Sequence, residues 1–348
     1  MPISRLETVF VVAGSVLPLA CEGPARGDVQ PDVQPIDDSG PPQGSTGTST
    51  AMETGPGAAT GSSSSGPGDP IFDVGAMDLP PVAPGCRKAD FLFVIDDSGS
   101  MAEHQQQLLD SFPGFIDAIL GTLADLDSVH VGVVTSDAYA FNAPGCQELG
   151  AMVTQTGGAD SSQAICTPFV GGKRFFTEED SLAAAFNCVG RVGTDGSGNE
   201  LPLSAAVRAL QPELVGVGGC NEGFLRPDAI LVVVIVTDDP PFPDTPDDAW
   251  PLVDVTAWHD AIVEAKGGNE EAIAMIGVVS WGDDRSCVCP WCCPGWGCEA
   301  PNVNAIELVQ SFGDHGVLTG VCADDYSPVL AQTIETIDVT CAVFDPSE

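Results

Sequence analysis

The amino-acid sequence predicts an α/β fold, in which a mostly parallel central sheet carries helices on both faces. Short apolar runs alternate along the chain with segments whose apolar residues recur at helical spacing, and this order is typical of a layered α/β domain. The runs at 91–95 and 230–236 contain no polar residue, as expected of strands that are covered on both faces. Both runs are too short to cross a membrane as helices.

The predicted strands follow the apolar runs in chain order. They lie at 91–95, 129–135, 230–236, 272–280 and 316–322. The third run is the most apolar of the chain, so we expect it to be a central strand. Residues 142–176 show neither a strand period nor a helix period, and they are predicted to form an irregular insertion rather than part of the core.

Helical patterns fill the intervals between these strands. The first helix is expected to open at Ser100, which forms a capping box with Glu103. Thr177 is predicted to cap the second helix, and the third covers 203–210. The last helix is expected to open at Ser327, with proline in its first turn.

The N-terminal part of the chain predicts export. Residues 1–21 have the character of a signal peptide, and their end, LPLAC, resembles a bacterial lipoprotein cleavage box, which implies a lipid on Cys21. Ordinary signal cleavage nearby is the alternative. Residues 22–85 are rich in Gly, Pro, Ser and Thr and are predicted to be a disordered tether, or a glycosylated stalk, before a domain at 86–348. We expect lipid anchoring at the bacterial outer membrane or cell surface, with secretion or a periplasmic location as the alternative.

The charge of the chain excludes two classes of partner. It has 50 acidic and 11 basic residues and a formal net charge of -39. Nucleic acid is excluded because its phosphates require lysine and arginine, and direct docking on anionic lipids is excluded for the same reason. Membrane contact is therefore expected only through the lipid anchor. Self-repulsion favours a soluble monomer.

Oxygen-bearing side chains follow the first predicted strand directly. Asp96, Ser98 and Ser100 alternate after the apolar run, and a tight turn containing Gly99 can aim all three side chains inward. One carboxylate and two hydroxyls are hard oxygen ligands, which suit Mg²⁺ better than zinc. The alternative interpretation is that these residues only form a turn and a helix cap, as Asp, Ser and Gly often do.

The pattern Asp96-x-Ser98-x-Ser100 after a buried strand resembles the metal-ion-dependent adhesion site of von Willebrand factor type A domains, and the resemblance covers roughly residues 86–344. In that family a threonine from a second loop and an aspartate after a later strand complete the site, and the matching residues here are Thr194 and Asp238. The resemblance implies a doubly wound fold. It also implies direct contacts of Ser98, Ser100 and Thr194 with Mg²⁺ (or Mn²⁺ or Ca²⁺), and contacts of Asp96 and Asp238 largely through water.

The function that this resemblance implies is adhesion. A bacterial surface lipoprotein of this kind would capture a protein ligand, or another acidic ligand, whose carboxylate completes the coordination of the metal. A structural or scaffold role in the envelope, with a metal site that only stabilises loops, is the alternative from another class. Sensitivity of partner capture to EDTA distinguishes the two roles.

The chain has 13 cysteines, and export predicts disulfides in an oxidising compartment. If Cys21 carries a lipid, an even number remains for pairing. We expect Cys86 and Cys341 to join the two ends of the domain. The other pairings suggested by proximity along the chain are Cys146 with Cys166 and Cys188 with Cys220.

Residues 283–303 are predicted to be a cysteine-rich insertion. Zinc-ligand spacing is present in Cys289-x-x-Cys292, but a second such pair and a nearby histidine are missing from the sequence. Because export favours oxidation, we predict a loop stapled by disulfides, with Cys322 as the sixth partner. The cysteines of the loop are Cys287, Cys289, Cys292, Cys293 and Cys298.

Catalytic motifs are missing from the sequence. It contains no G-x-S-x-G nucleophile elbow, no phosphate-binding G-x-x-x-x-G-K-[ST] and no H-E-x-x-H. A magnesium-dependent hydrolase that uses Asp96 and Asp97 is the minor alternative, but it would need a positioned lysine to offset phosphate charge. Lys88, Lys173 and Lys266 do not lie at the predicted strand ends, so we do not expect an enzyme.

Overall fold

The structure is a computed structural model and describes residues 86–122, 126–197, 200–238, 254–280, 301–323 and 325–344. All of these belong to one compact unit, Val82–Glu348. The described residues form a six-stranded sheet with helices, in which every strand pairing is parallel except that of the edge strand β3. The predicted α/β class with a mostly parallel sheet is confirmed.

The strands stand in the order β3-β2-β1-β4-β5-β6. Each of the five predicted strands is present, and the third predicted strand is central. The strand that was not predicted, β3, has two residues and therefore shows no period. The bounds are β1 (Lys88–Ile95), β2 (Ser128–Thr135), β3 (Phe176–Thr177), β4 (Ile230–Thr237), β5 (Ile273–Val279) and β6 (Gly316–Gly320).

The helices lie between the strands and after the last one. Thr177 does not cap the second helix, and that prediction was wrong. It ends β3, and its N–H donates to the Asp180 carboxylate at 2.9 Å, so a turn separates Thr177 from the helix start. The bounds are α1 (Ala102–Thr122), α2 (Leu182–Val189), α3 (Pro202–Ala209), α4 (Pro212–Val215), α5 (Val255–Ala265), α6 (Val303–Ser311) and α7 (Ser327–Val343).

The strand residues divide between two buried clusters according to their alternation along each strand. Phe91 and Phe93 of β1 pack with residues of α1, α2 and α7. Leu92 and Val94, which point the opposite way, pack with residues of α3, α5 and α6. Because apolar residues from helices complete both clusters, the strands need no polar face, which explains their uninterrupted apolar runs.

The insertion at 142–176 is irregular, as predicted, apart from a short 3-10 turn and the start of β3. The expectation that it lies outside the core was wrong. Met152 and Phe175 are fully buried against the strands and α3. The buried Asn221 amide fixes this segment, since its oxygen accepts from Met152 N at 2.8 Å and its nitrogen donates to Gly150 O at 2.8 Å.

A disulfide joins Cys86, before β1, to Cys341 near the end of α7, as predicted. It closes a loop of 255 residues, and a bridge over so long a loop stabilises a fold by about 4–5 kcal/mol in the chain-entropy account. Cys322 is also disulfide-bonded. Its predicted partners at 287–298 lie outside the described residues.

The two pairings suggested by proximity along the chain were wrong. Cys146 bonds to Cys220, and Cys166 bonds to Cys188. The first bond ties the insertion to the loop after α4, and the second ties it to α2. The packing of the insertion brings the two cysteines of each bond together. This packing cannot be inferred from the distance between the cysteines along the sequence.

The predicted signal peptide, the lipidation of Cys21, the tether at 22–85 and nearly all of the cysteine-rich insertion at 283–303 lie outside the described residues. Within the part of the chain that the structure describes, no helix is both long enough and apolar enough to cross a membrane.

Candidate metal centre

Three neighbouring strands end at the same level on one edge of the sheet. Ile95 of β1 is in register with Thr135 of β2 and with Val236 of β4. The residues that follow these strands therefore meet, and Asp96 N donates to Val236 O at 3.0 Å. Parallel strands commonly carry binding sites at this edge, which we call the carboxyl edge.

Asp96 is fully buried at the carboxyl edge. Its Oδ1 accepts a hydrogen bond from Ser98 N at 2.8 Å, and its Oδ2 accepts one from Thr237 Oγ1 at 2.5 Å. The backbone turn after β1 and the end of β4 thus fix the carboxylate from two sides. No rearrangement of the chain is needed to bring the two strand ends together.

The predicted hydroxyl ligands meet the second aspartate. Ser98 Oγ lies 3.3 Å from Ser100 Oγ, and Ser100 Oγ donates to Asp238 Oδ1 at 2.9 Å. The capping box predicted for Ser100 and Glu103 is not formed as expected. Helix α1 begins at Ala102, and the Ser100 hydroxyl donates to the Asp238 carboxylate. Asp96, Ser98, Ser100 and Asp238 are therefore brought together.

The carboxylates at this edge repel each other. Burial, and then the negative charge of Asp238, raise the pKa of Asp96 to about 6, against the hydrogen bonds from Thr237 and Ser98. Burial likewise raises the pKa of Asp238, although the hydrogen bond from Ser100 lowers it. A cation placed between the two groups would relieve this repulsion.

The donor set fits a hard divalent ion. It consists of two carboxylates and two hydroxyls, all oxygen, which suit Mg²⁺, Mn²⁺ or Ca²⁺ rather than softer metals. The described residues contain no group of three or more His, Cys, Asp or Glu side chains already spaced to hold an ion. The proposed donor set contains only two such side chains, Asp96 and Asp238, and its other two oxygen donors are the hydroxyls of Ser98 and Ser100.

Thr194 is not brought into contact with the other predicted ligands. Its Oγ1 donates to Asp160 Oδ2 at 2.9 Å, and its N–H donates to Ala159 O at 3.0 Å. The predicted ligand therefore contacts the insertion at 142–176. The neighbouring Gly193 has φ 95°, a conformation that glycine adopts without strain.

The Thr194 loop is nevertheless fixed against the end of β1. The buried Gln105 amide donates to Asp96 O at 3.0 Å and to Gly193 O at 2.8 Å, and it accepts from Gly193 N at 3.1 Å. Gly196 N donates to Asp97 O at 2.9 Å. A Cβ on Gly196 would meet Asp97 Cγ at 2.5 Å, so this close approach requires glycine.

Further carboxyl groups lie beside Asp96, namely Asp97, Asp137 and Glu200. The sequence suggested Asp97 only for the hydrolase alternative, and it did not suggest Asp137 or Glu200. Ser136 Oγ lies within hydrogen-bond distance of both Asp97 Oδ1, at 3.2 Å, and Glu200 Oε2, so its single hydrogen is shared between the two carboxyl groups. Burial, then Asp137 and Asp96, raise the pKa of Asp97 to about 8. Asp137 could have been found, because it closely follows a predicted strand, as Asp97 does. Glu200 gives no such signal, since it lies in a loop.

Comparisons with known proteins name no family. Neither a protein family model nor a curated protein matches the chain. Among solved structures 75 chains match, including proximal thread matrix protein 1 from the mussel byssus, with 15% identity over 74% of this chain and 49% of that chain and a TM-score of 0.35. Another is an aspartate-to-alanine mutant of the PilB minor pilin from Streptococcus sanguinis. It has 12% identity over 74% of this chain and 62% of that chain, with a TM-score of 0.35. This chain spans less than two thirds of either protein, and similarity at this level carries no functional argument.

Proposed function

We propose that this chain is a cell-surface binding module of the von Willebrand factor type A kind, with a doubly wound arrangement of its sheet and helices. It holds Mg²⁺, Mn²⁺ or Ca²⁺ at the carboxyl edge and captures a protein ligand, or another acidic ligand, through that ligand's carboxylate. The predicted export signal and lipid anchor support a position on the bacterial surface, and the predicted tether at 22–85 would lift the domain away from the membrane.

The observation that carries this proposal is that side-chain oxygens following β1 contact a carboxylate that follows β4. Ser98 Oγ contacts Ser100 Oγ, which donates to Asp238, and the buried Asp96 lies beside them with the like charge of Asp238 as its main charged neighbour. The imidazole of His104 lies 3.8 Å from Asp238, but burial lowers its pKa and so disfavours its charged form. A buried carboxylate with a like charge as its main charged neighbour is unfavourable unless a cation joins it.

Asp96, Ser98, Ser100 and Asp238 would hold the ion. When bound, it supplies a Lewis-acidic position that accepts a carboxylate oxygen. The protein's part is to hold the donors and to favour the incoming anion. Helix α1 begins at Ala102, directly after the serines, and the N-terminal end of a helix attracts negative charge.

The direct test uses Mn²⁺ as the probe, because its effect on water proton relaxation reports the water molecules that it coordinates. We expect the full chain to bind one Mn²⁺, and we expect added acetate or a glutamate-containing peptide to lower the relaxation rate by displacing coordinated water. Bound Mn²⁺ that keeps its water at saturating carboxylate would contradict ligand capture and leave the scaffold role. Absence of Mn²⁺ binding would refute the metal centre itself.

A further inference from the structure

Two side chains of the loop before α3 could add a ligand to the four named above. The first, Thr194, is partly exposed, and both its hydroxyl and its N–H donate to the insertion, at Asp160 and Ala159. Turning this hydroxyl toward Asp96 would break the contact with Asp160. Thr194 therefore has an established structural partner away from the metal centre.

The second, Glu200, lies inside the carboxyl edge. Its side chain is 5% exposed, and its Oε2 accepts a hydrogen bond from Ser136 Oγ. The backbone beside it is fixed, because Leu201 N donates to Ser136 O at 2.8 Å. The other oxygen, Oε1, is buried without a hydrogen-bond partner among the described residues. Such an oxygen is costly, so a ligand or a proton is expected there.

The electrostatic surroundings of Glu200 join it to the same centre. After burial, the negative charge of Asp96 is the largest influence raising its pKa to about 10, and Asp97 and Asp137 act in the same direction. The carboxylate that most affects Glu200 is thus the central residue of the proposed metal site. An ion between them would favour the ionised form of both groups.

We infer that Glu200, rather than Thr194, is the ligand that this loop contributes to the divalent ion. The inference rests on the proposed metal centre at Asp96. Since the described acidic groups are not already spaced around one ion, coordination requires the Glu200 carboxylate to turn from Ser136 toward Asp96. The hydrogen bond of Leu201 N keeps the backbone in place during this rotation.

The test compares two substitutions of matched size in the full chain, Glu200→Gln and Thr194→Val. Calorimetric titration with Ca²⁺ and with Mg²⁺ measures the affinity of each variant. Glutamine preserves the shape and the hydrogen bond with Ser136, so it would be silent if Glu200 were only a protonated structural acid. We expect Glu200→Gln to weaken ion binding by about tenfold or more, the size of effect typical of residues that control a metal site, and Thr194→Val to change it less than about twofold.

A second measurement counts ligands directly. Luminescence lifetimes of bound Eu³⁺ report the number of coordinated water molecules, and in Glu200→Gln we expect about one water to replace the neutral amide, which is a weaker ligand than the carboxylate. Unchanged affinity and hydration in Glu200→Gln would overturn the inference, as would a loss in Thr194→Val equal to or greater than that in Glu200→Gln. If the wild-type chain binds no ion, the proposed function fails with it. If wild type binds and only Thr194→Val is weakened, the proposed function stands and this inference alone fails.

Discussion

The two ends of strand β1 each carry a buried aspartate, but the neighbouring charges differ in sign. At the amino end, Asp90 accepts hydrogen bonds from Arg226 N and Nε, each at 2.7 Å. The charge of Lys266 also lowers the pKa of Asp90. At the carboxyl end, Asp96 is equally buried, and its main charged neighbour is another carboxylate, that of Asp238.

This contrast separates a structural acid from one available for a ligand. The pKa of both Asp90 and Asp96 is raised to about 6, and burial is the largest cause at each end. At the amino end Arg226 offsets the cost of burial from within the protein. At the carboxyl end the neighbouring carboxylates add to it, which is the arrangement expected when the compensating cation comes from solution.

The largest effect is expected from removing the cation at the amino end. Arg226→Met leaves Asp90 buried without its partner, and breaking such a pair costs about 3–5 kcal/mol. Urea unfolding with the disulfides intact measures the change in the free energy of unfolding. The double variant Asp90→Leu with Arg226→Met is the control, and we expect it to recover most of the loss. A cost below about 1 kcal/mol in the single variant would contradict the structural role of the pair.

Adding an ion is expected to stabilise the fold through the carboxyl edge. An ion at about 100 times its Kd adds about 2.7 kcal/mol to the free energy of unfolding if it binds only the folded chain. Thermal unfolding with Ca²⁺ or Mg²⁺, and then with excess EDTA, measures this gain and its reversal. Equal stabilisation of wild type and Asp96→Asn would locate the binding elsewhere.

The stability of the fold is expected to depend on pH through His130, which lies near the amino end of β1. Burial lowers the pKa of His130 to about 4 from its ordinary 6.5, and its Nδ1 is hydrogen-bonded to Phe224 O at 2.7 Å. Below pH 6.5 the unfolded chain takes up this proton while the folded chain does not, so stability is lost as pH falls from 6.5 toward 4. His130 alone contributes a loss of about 2 kcal/mol between pH 7.5 and pH 5, while Asp90, whose pKa is raised to about 6, contributes in the opposite direction.

The variant His130→Phe tests this dependence. Phenylalanine fits beside Phe175, whose ring centroid lies 4.3 Å from that of His130, but it loses the hydrogen bond to Phe224. We expect lower stability at pH 7.5 and a shallower decline toward pH 5. The acids away from this site titrate alike in both proteins, whereas Asp90, whose Oδ1 lies 3.5 Å from His130 Nδ1, belongs to the same site and changes its surroundings with the substitution. Parallel stability curves would show that His130 is not the group responsible.

The smallest effect on stability is expected at Asp96. Asparagine can still accept from Ser98 N and can donate to Thr237 Oγ1, while the buried negative charge is removed. Without divalent ions, we therefore expect Asp96→Asn to leave the free energy of unfolding unchanged or to raise it by up to about 1 kcal/mol. A loss greater than about 2 kcal/mol would mean that the charge of Asp96 supports the fold itself.

The sequence could predict the parts of the site that follow from strand ends. Asp96 and Asp238 each follow a recognisable apolar strand, and parallel strands bring such residues to one edge. Thr194 could not be placed this way, because its contacts depend on Ala159 and Asp160 in the irregular insertion. The pairing of Cys146 and Cys166 failed for the same reason, since the packing of that insertion leaves no periodic signal in the sequence.

The proposed difference between the two ends of β1 is tested most directly by calorimetric titration of wild type and Asp96→Asn with the same divalent ion. We predict that wild type binds one ion per chain, and that the isosteric variant, folded and equally stable, binds none at the same concentrations. Binding of equal affinity in both proteins, or the absence of binding in wild type, would contradict the assignment of the carboxyl edge as a metal centre.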